Sequence, residues 1–227
     1  MEATKNEAGH LLSKLFDAER SVRRFHAEVA AVDHARLIEA ASAAVDDAMT
    51  QPDGGEMALR LVRLSDVLAD LHGPKVVDLL IKILGCEEPE ARHSAGEALE
   101  GLAFDRFKEV ALGIERAIET LPSGSPSLSE LPYLLAEVPE PGVLRLLGLF
   151  LKHQDAEAVA AAIESLVEYG EPAGAGLLTA LLSDKREVQL EDDLGDEGKI
   201  TVGELATEAR DFLVELERGG KKTVDRS

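Results

Sequence analysis

Residues 76–99 read VVDLLIKILGCEEPEARHSAGEAL, and residues 143–166 read VLRLLGLFLKHQDAEAVAAAIESL. When the second segment is aligned with the first, at an offset of 67 residues, nine of the 24 positions are identical. Most of the identical residues are apolar or small. They recur at spacings of three and four, which is the period of one helix face. The apolar stripe covers Val76–Leu84 and again Ala91–Leu99. Each copy is therefore predicted to be a pair of helices.

A third unit is expected between the two copies, because a shift of 67 residues is about twice the length of a short helical repeat. Residues 107–135 fill this space and carry Val110, Ile114 and Ala117 on one helical face. Residues 122–126 contain two prolines and a glycine, which separate the two helices of this unit. A further unit is predicted to begin at Gly174.

Two of these segments resemble the first helix of bacterial HEAT-like repeats. They are Glu90–Leu99 and Glu157–Leu166, and Gly170 closes the second of them. Gly176–Asp184 resembles the second helix of such a repeat, and Thr201–Ala209 resembles a further first helix. The ankyrin and tetratricopeptide repeats have a similar period, but the chain contains no Thr-Pro-Leu-His run and no tryptophan.

The resemblance covers residues 73–217 and implies an all-α fold, a right-handed superhelical solenoid of HEAT-like helix pairs. Because a solenoid must cover its exposed end, residues 1–72 are predicted to be an N-terminal helical cap region. Residues 218–227 are predicted to be a flexible tail, since two adjacent glycines and several charges follow the last apolar stripe.

The chain is strongly acidic, with 44 Asp and Glu against 24 Lys and Arg and a net charge of −20. This charge repels phosphate backbones, so nucleic acid is not expected as a partner. Residues 153–204 hold 13 acidic and three basic residues, so this segment carries half of the chain's net negative charge. A single cysteine, Cys86, and the lack of an apolar run that could cross a bilayer predict a cytoplasmic protein with no membrane span.

The residue patterns of known enzymes with HEAT-like repeats are missing from the sequence. None of the six histidines is followed by glutamate, so the His-Glu pairs of deoxyhypusine hydroxylases are absent. HEAT-like DNA glycosylases need a basic cleft with aromatic residues, which an acidic chain without tryptophan does not supply. We therefore expect no catalytic activity and no cofactor. A subunit similar to the phycobilin lyases, which share this type of repeat, stays open as an alternative.

Residues 193–204 resemble the calcium loop of an EF-hand. Asp193, Glu197 and Glu204 stand at the first, fifth and twelfth positions of that loop. Gly195 stands at the third position, where a carboxylate or amide ligand should be. The loop therefore lacks one ligand.

The competing interpretation of this acidic stretch is a hairpin-like insertion near residues 187–203. Glu204 would then open the final helix, where the helix dipole favours an acidic residue. The two short strands would contain four apolar residues, Val188, Leu190, Ile200 and Val202.

The predicted function is non-enzymatic protein binding, as a scaffold or adaptor, through the concave and acidic C-terminal surface of the solenoid. In the self-match Leu149 replaces Lys82, and residues 143–151 are almost continuously apolar, which is typical of a contact surface or of deeper burial. An acidic inhibitor or immunity protein for a basic partner such as a nuclease is the alternative function. The predicted partner-binding residues are Arg145, Leu149, Lys152, Glu164 and Glu168.

We expect no specific calcium site, because Gly195 offers no side-chain ligand. Isothermal titration of the protein with Ca²⁺ should accordingly show no binding in the micromolar range. Micromolar binding that Glu204→Gln abolishes would contradict this expectation and establish the EF-hand-like loop.

Overall fold

The computed structural model of the protein describes residues 2–191 and 197–224. In this part of the chain short loops join nine α-helices and one 3-10 helix, and two short strands precede the last helix. The elements are α1 (Glu2–Ala30), α2 (His34–Ala48), α3 (Gly54–Ala69), α4 (Pro74–Leu84), α5 (Pro89–Thr120), α6 (Pro126–Ala136), α7 (Val143–Phe150), α8 (Ala156–Tyr169), the 3-10 helix (Pro172–Leu181), β1 (Glu187–Glu191), β2 (Glu197–Thr201) and α9 (Val202–Val224). The predicted helical fold with a small hairpin is confirmed.

From α2 onward the helices alternate between two packed layers. The front layer contains α3, the first half of α5, α6, α8 and α9. The rear layer contains α2, α4, the second half of α5, α7 and the 3-10 helix. One continuous apolar core lies between the layers, from Leu37 in α2 to Leu213 in α9. The helices therefore pack pairwise along the chain, as the self-match predicts.

The long helix α5 belongs to two consecutive pairs. Its backbone leaves helical geometry at Arg106, with φ −143° and ψ 49°, and there the chain passes from the front layer to the rear layer. Arg106 Nη2 donates a hydrogen bond to the Leu71 carbonyl at 2.8 Å. Glu109 Oε1 accepts one from the Gly73 amide at 2.6 Å. The break lies one residue before Phe107, where the sequence predicts that the intervening unit begins.

Short polar residues and glycine set several helix ends. Asp53 Oδ1 accepts a hydrogen bond from the Glu56 amide at 2.8 Å, which satisfies a donor that no helical carbonyl reaches at the start of α3. Asp155 does the same at the start of α8. At the other end of α8, Gly170 has φ +67°, a left-handed conformation that favours glycine. The closing role predicted for Gly170 is confirmed.

The segment predicted as a second helix over residues 176–184 is a 3-10 helix over Pro172–Leu181, which corrects both its type and its boundaries. A proline and two glycines lie in its first half, and these residues are weak α-helix formers. A Cβ atom at Gly174 would lie 3.1 Å from Leu166 Cδ2, so the segment packs closely against α8. It still occupies the rear-layer position opposite α9.

The two strands form an antiparallel hairpin in which Val188 pairs with Ile200. Val188 is buried in the common core. The hairpin-like insertion predicted near residues 187–203 is therefore confirmed, except that Val202 is the first residue of α9. Asp193 and Gly195 of the calcium-loop interpretation lie outside the described residues.

The two ends of the chain differ in how they pack. In the predicted N-terminal cap region, α2 and α3 contribute Leu37 and Leu61 to the common core, while most of α1 is exposed. At the other end, α9 continues to Val224, so residues 218–224 of the predicted tail are helical. Residues 225–227 of that tail lie outside the described residues.

Replacing Gly113 tests the packing of α4 against the second half of α5. A Cβ atom at Gly113 would lie 2.3 Å from Val77 Cγ1, so Gly113→Ala should lower the free energy of unfolding by ~1–3 kcal/mol. Gly101→Ala is the matched control, because nothing lies within 4 Å of its Cβ position. This control should raise the free energy by ~0.4–1 kcal/mol, since alanine restricts the unfolded chain. Urea denaturation followed by circular dichroism measures both, and a stabilised Gly113→Ala would contradict the packing.

Candidate protein-binding grooves

Ion pairs link neighbouring rear-layer helices along most of the stack. They join α2 to α4, α4 to the second half of α5, and that half of α5 to α7, through Asp46–Lys82, Asp78–Arg116 and Glu115–Arg145. Exposed pairs of this kind contribute ~0–1 kcal/mol each. Within residues 2–191 and 197–224 no ion pair joins α7 to the 3-10 helix, which is the next neighbour in the rear layer.

Apolar side chains line the contact between α7 and the 3-10 helix, at the end of the rear layer. Leu144, Leu149 and Leu177 surround a groove of about 260 Å³, which we call the apolar groove. Leu177 packs over Gly148, where a Cβ atom would be in ordinary van der Waals contact with Leu177 Cδ1 at 3.7 Å. Leu149 is half buried, so it both packs against its neighbours and borders the groove.

A second groove lies on the front layer, between the first half of α5, α6 and α8. Its volume is about 570 Å³, and Tyr133 lies in its wall with Leu84 and Leu134. We call this cleft the acidic groove. Its carboxylates are Glu97, Glu100, Glu130, Glu137 and Glu168, and its basic residues are Arg92 and His93.

The carboxylates of the acidic groove are mostly unpaired. His93 Nε2 lies 3.5 Å from Glu97 Oε1. Glu100, Glu130 and Glu137 form no ion pair with any residue that the structure describes, and the same holds for Glu168. Glu137 and Glu168 are exposed, and Glu100 and Glu130 are half buried. Unpaired carboxylates around one cleft produce a negative potential that attracts cations.

Tyr133 is held as a neutral hydrogen-bond donor in this cleft. Its hydroxyl donates a hydrogen bond to Glu164 Oε2 on the neighbouring helix α8. Burial raises the pKa of Tyr133, and the bond to Glu164 and the charges of Glu130 and Glu168 raise it further. The hydroxyl is thus kept protonated among carboxylates, while the Tyr133 side chain remains 39% exposed.

The five predicted partner-binding residues fall into two groups. Arg145, Leu149 and Lys152 line the apolar groove, and Glu168 lines the acidic groove with Glu164 bound to its tyrosine. Because α7 lies in the rear layer and α8 in the front layer, no groove found in the described part of the chain contains both groups.

Tyr133 and the carboxylates on α5 and α6 were missed by the sequence analysis. The sequence did contain one indication of these carboxylates. Glu97 and Glu164 are identical in the self-match and exposed, whereas the identical apolar residues are buried. Glu90 and Glu157 are also identical and exposed, but each lies in the first turn of its helix, where the dipole explains an acid.

Other carboxylates of the acidic stretch 153–204 hold the fold together. Asp155 is buried, caps α8, and accepts a hydrogen bond from the Gly124 amide. Arg186 donates hydrogen bonds to Asp184 and, at 2.9 Å, to the His153 carbonyl. The hydrogen bond from Arg186 holds the pKa of Asp184 below its usual value. Part of the local negative charge is thus structural.

Glu204 caps the last helix. Its Oε2 accepts hydrogen bonds from the Thr201 hydroxyl at 2.7 Å and the Thr201 amide at 2.9 Å, which lower the pKa of Glu204. Thr201 Oγ1 in turn accepts one from the Glu204 amide at 3.2 Å, so the two residues form a capping box. The described residues contain no group of three or more side chains placed to hold a metal ion. Burial raises the pKa of the Cys86 thiol, which disfavours the reactive thiolate.

No helix in the described part of the chain is both long enough and apolar enough to cross a membrane. No protein-family model matches the chain, and no curated protein matches it. Two engineered proteins, whose crystal structures come from the Northeast Structural Genomics Consortium, are similar in structure. The first is 15% identical over 86% of this chain and 97% of its own, with a TM-score of 0.34. The second is 17% identical over 84% of this chain and 89% of its own, with a TM-score of 0.31.

Asp184→Asn separates structural carboxylates from those available for binding. It should lower the free energy of unfolding at neutral pH by ~1–3 kcal/mol, because the charged partner of Arg186 is lost. Since the pKa of Asp184 is depressed in the fold, its contribution is present above the unfolded carboxyl pKa of ~3.9 and is lost as the pH falls through the lower folded value. Urea denaturation at pH ~7 and pH ~3 measures this difference.

The matched control for Asp184→Asn is Glu168→Gln, which removes an unpaired carboxylate on the same half of the molecule. It should leave the free energy of unfolding within about 0.5 kcal/mol of the wild type. If Asp184→Asn lowers the free energy of unfolding by the same amount at acid and neutral pH, the ionised Asp184 carboxylate does not stabilise the fold through Arg186.

Proposed function

We propose that this chain is a protein-interaction module of HEAT-like repeats, a scaffold or adaptor, and that its acidic groove binds a basic segment of a partner protein. The observation that carries the proposal is the exposed Tyr133 ring among Glu100, Glu130, Glu137 and Glu168, none of which is paired with a described cation. The resemblance of residues 73–217 to HEAT-like repeats supports the same conclusion, because stacked repeats act through extended surfaces.

The groove suits arginine side chains in particular. A guanidinium group forms paired hydrogen bonds with a carboxylate and also stacks on an aromatic ring. Tyr133 offers a ring face within the same cleft as the carboxylates of α5, α6 and α8. A cation on such a ring contributes ~0.5–1 kcal/mol where it is exposed to solvent. The net charge of −20 adds long-range attraction, which raises the association rate of a basic partner.

The inhibitor or immunity protein is a special case of the same recognition, since a basic nuclease would present arginine and lysine to the same groove. Scaffold and inhibitor differ in what the bound partner then does. In both cases the partner binds the same groove, so a binding measurement comes first.

A fluorescein-labelled peptide of alternating arginine and glycine is a suitable probe, with fluorescence anisotropy as the readout. The full chain should bind it, and affinity should fall with added salt, because exposed charges are screened within ~8 Å at physiological ionic strength. The triple variant Glu130→Gln, Glu137→Gln and Glu168→Gln should weaken binding about tenfold, since three exposed ion pairs contribute ~0.5 kcal/mol each.

The matched control has the same change in net charge outside the groove. It combines Glu87→Gln, Glu119→Gln and Glu171→Gln, three exposed residues that make no ion pair with a described residue. Leu149→Lys, in the apolar groove on the other layer, should leave the affinity within about twofold. Equal weakening by the two triple variants would contradict the proposal, because binding would then follow net charge alone.

A further inference from the structure

The helix α1 carries an apolar stripe that the described part of the chain leaves mostly uncovered. Leu11, Leu15 and Phe25 are 59%, 61% and 55% exposed. The stripe follows a seven-residue pattern with apolar residues at the first and fourth positions, namely Ala8, Leu11, Leu15, Ala18, Val22, Phe25 and Val29. Such a pattern over three heptads or more is typical of a helix that pairs with another helix.

The two halves of this stripe have different surroundings. The C-terminal half of α1 lies beside α3, and together they form a groove of about 660 Å³. Phe25 and Val29 line it from α1, and Leu59 and Val62 line it from α3. In the N-terminal half the apolar side chains of Leu11, Leu12, Leu15 and Phe16 are each more than half exposed. The C-terminal half of α1 therefore borders a groove, and its N-terminal half forms an exposed ridge.

We propose that a second copy of this chain covers the stripe, in an antiparallel dimer in which the ridge of each α1 fills the groove of the other. Antiparallel pairing follows from the position of the groove, because parallel helices would place ridge against ridge and leave both grooves empty. With Leu15 facing the partner's Phe25, Leu11 faces the partner's Val29. This contact is self-complementary and closes on itself, as a two-fold dimer requires.

The charge distribution favours a second copy over a partner of opposite charge. Residues 1–30 contain five acidic and five basic residues, whereas the chain as a whole has a net charge of −20. Two copies would repel each other along the rest of the molecule but not along α1. In the antiparallel register Lys14 of each copy lies near the partner's Glu28, which adds two symmetry-related attractive pairs along one side of the stripe.

The size of the contact also suits a dimer. Because α1 ends at Ala30, this register lets residues 10–30 of the two α1 helices overlap, which is ~31 Å and about three heptads. Two α1 helices flanked by two α3 helices form a four-helix arrangement, in which Leu59, at 60% exposure, becomes covered. The stripe and the groove are removed from water by the same contact.

Sedimentation equilibrium of the full chain tests the dimer. The wild type should show twice the chain mass of 24.3 kDa in the micromolar range. The double variant Leu15→Lys and Phe25→Lys should be a monomer with unchanged helical circular dichroism, because two charges would be buried in the apolar contact. A control of the same chemistry, Leu112→Lys and Phe104→Lys, changes two exposed residues elsewhere and should remain a dimer.

Cysteine substitutions test the orientation. A mixture of Leu11→Cys and Val29→Cys chains should form disulfide-linked dimers on mild oxidation, whereas Leu11→Cys alone should not. The single native thiol, Cys86, is buried and should not contribute. A monomeric wild type, or a dimer that persists in Leu15→Lys with Phe25→Lys, would overturn the proposal. Linked dimers of Leu11→Cys alone would overturn the antiparallel arrangement.

Discussion

The packing of the stack depends on how the chain passes from the front layer to the rear layer at Arg106. Most connections between layers are loops, but here one long helix serves two consecutive pairs, and only a local change of direction separates its halves. Arg106 and Glu109 hold that change of direction in place, because they form hydrogen bonds with the backbone of Leu71 and Gly73 in the loop between α3 and α4. Buried or half-buried backbone groups need such partners. The second half of α5 can therefore pack on α4, where Gly113 allows close approach.

Close approach of the helices also explains where the aromatic residues lie. The core is built from leucine, isoleucine, valine and alanine, and Phe150 is the aromatic residue among its largest fully buried side chains. Helices that pack through alanine and glycine leave little room for rings between them. Several aromatic side chains instead lie at the surface, among them Phe16 and Phe25 of α1 and Tyr133 of the acidic groove. Exposed aromatic residues are enriched in binding surfaces, which agrees with the proposed contacts.

The sequence was sufficient to predict the helix pairs, because burial on one face produces the spacing of three and four seen in both copies of the self-match. It was also sufficient for the hairpin, where Val188 and Ile200 alternate with polar neighbours. Helical period identifies the buried face of a helix but not its layer, so Leu149 and Glu164 were predicted in one site and lie on different layers. Tyr133 belongs to the diverged unit between the two copies, where the self-match gives no signal.

The close contact between Gly113 and Val77 is a direct mark of the two-layer packing, since it exists only if the chain changes layer at Arg106 and the second half of α5 packs on α4. A nuclear Overhauser experiment on protein with labelled valine methyl groups can detect it. Two-layer packing predicts a strong cross-peak between a Val77 methyl group and the Gly113 α-protons. Complete assignment of both residues without that cross-peak would contradict the two-layer packing.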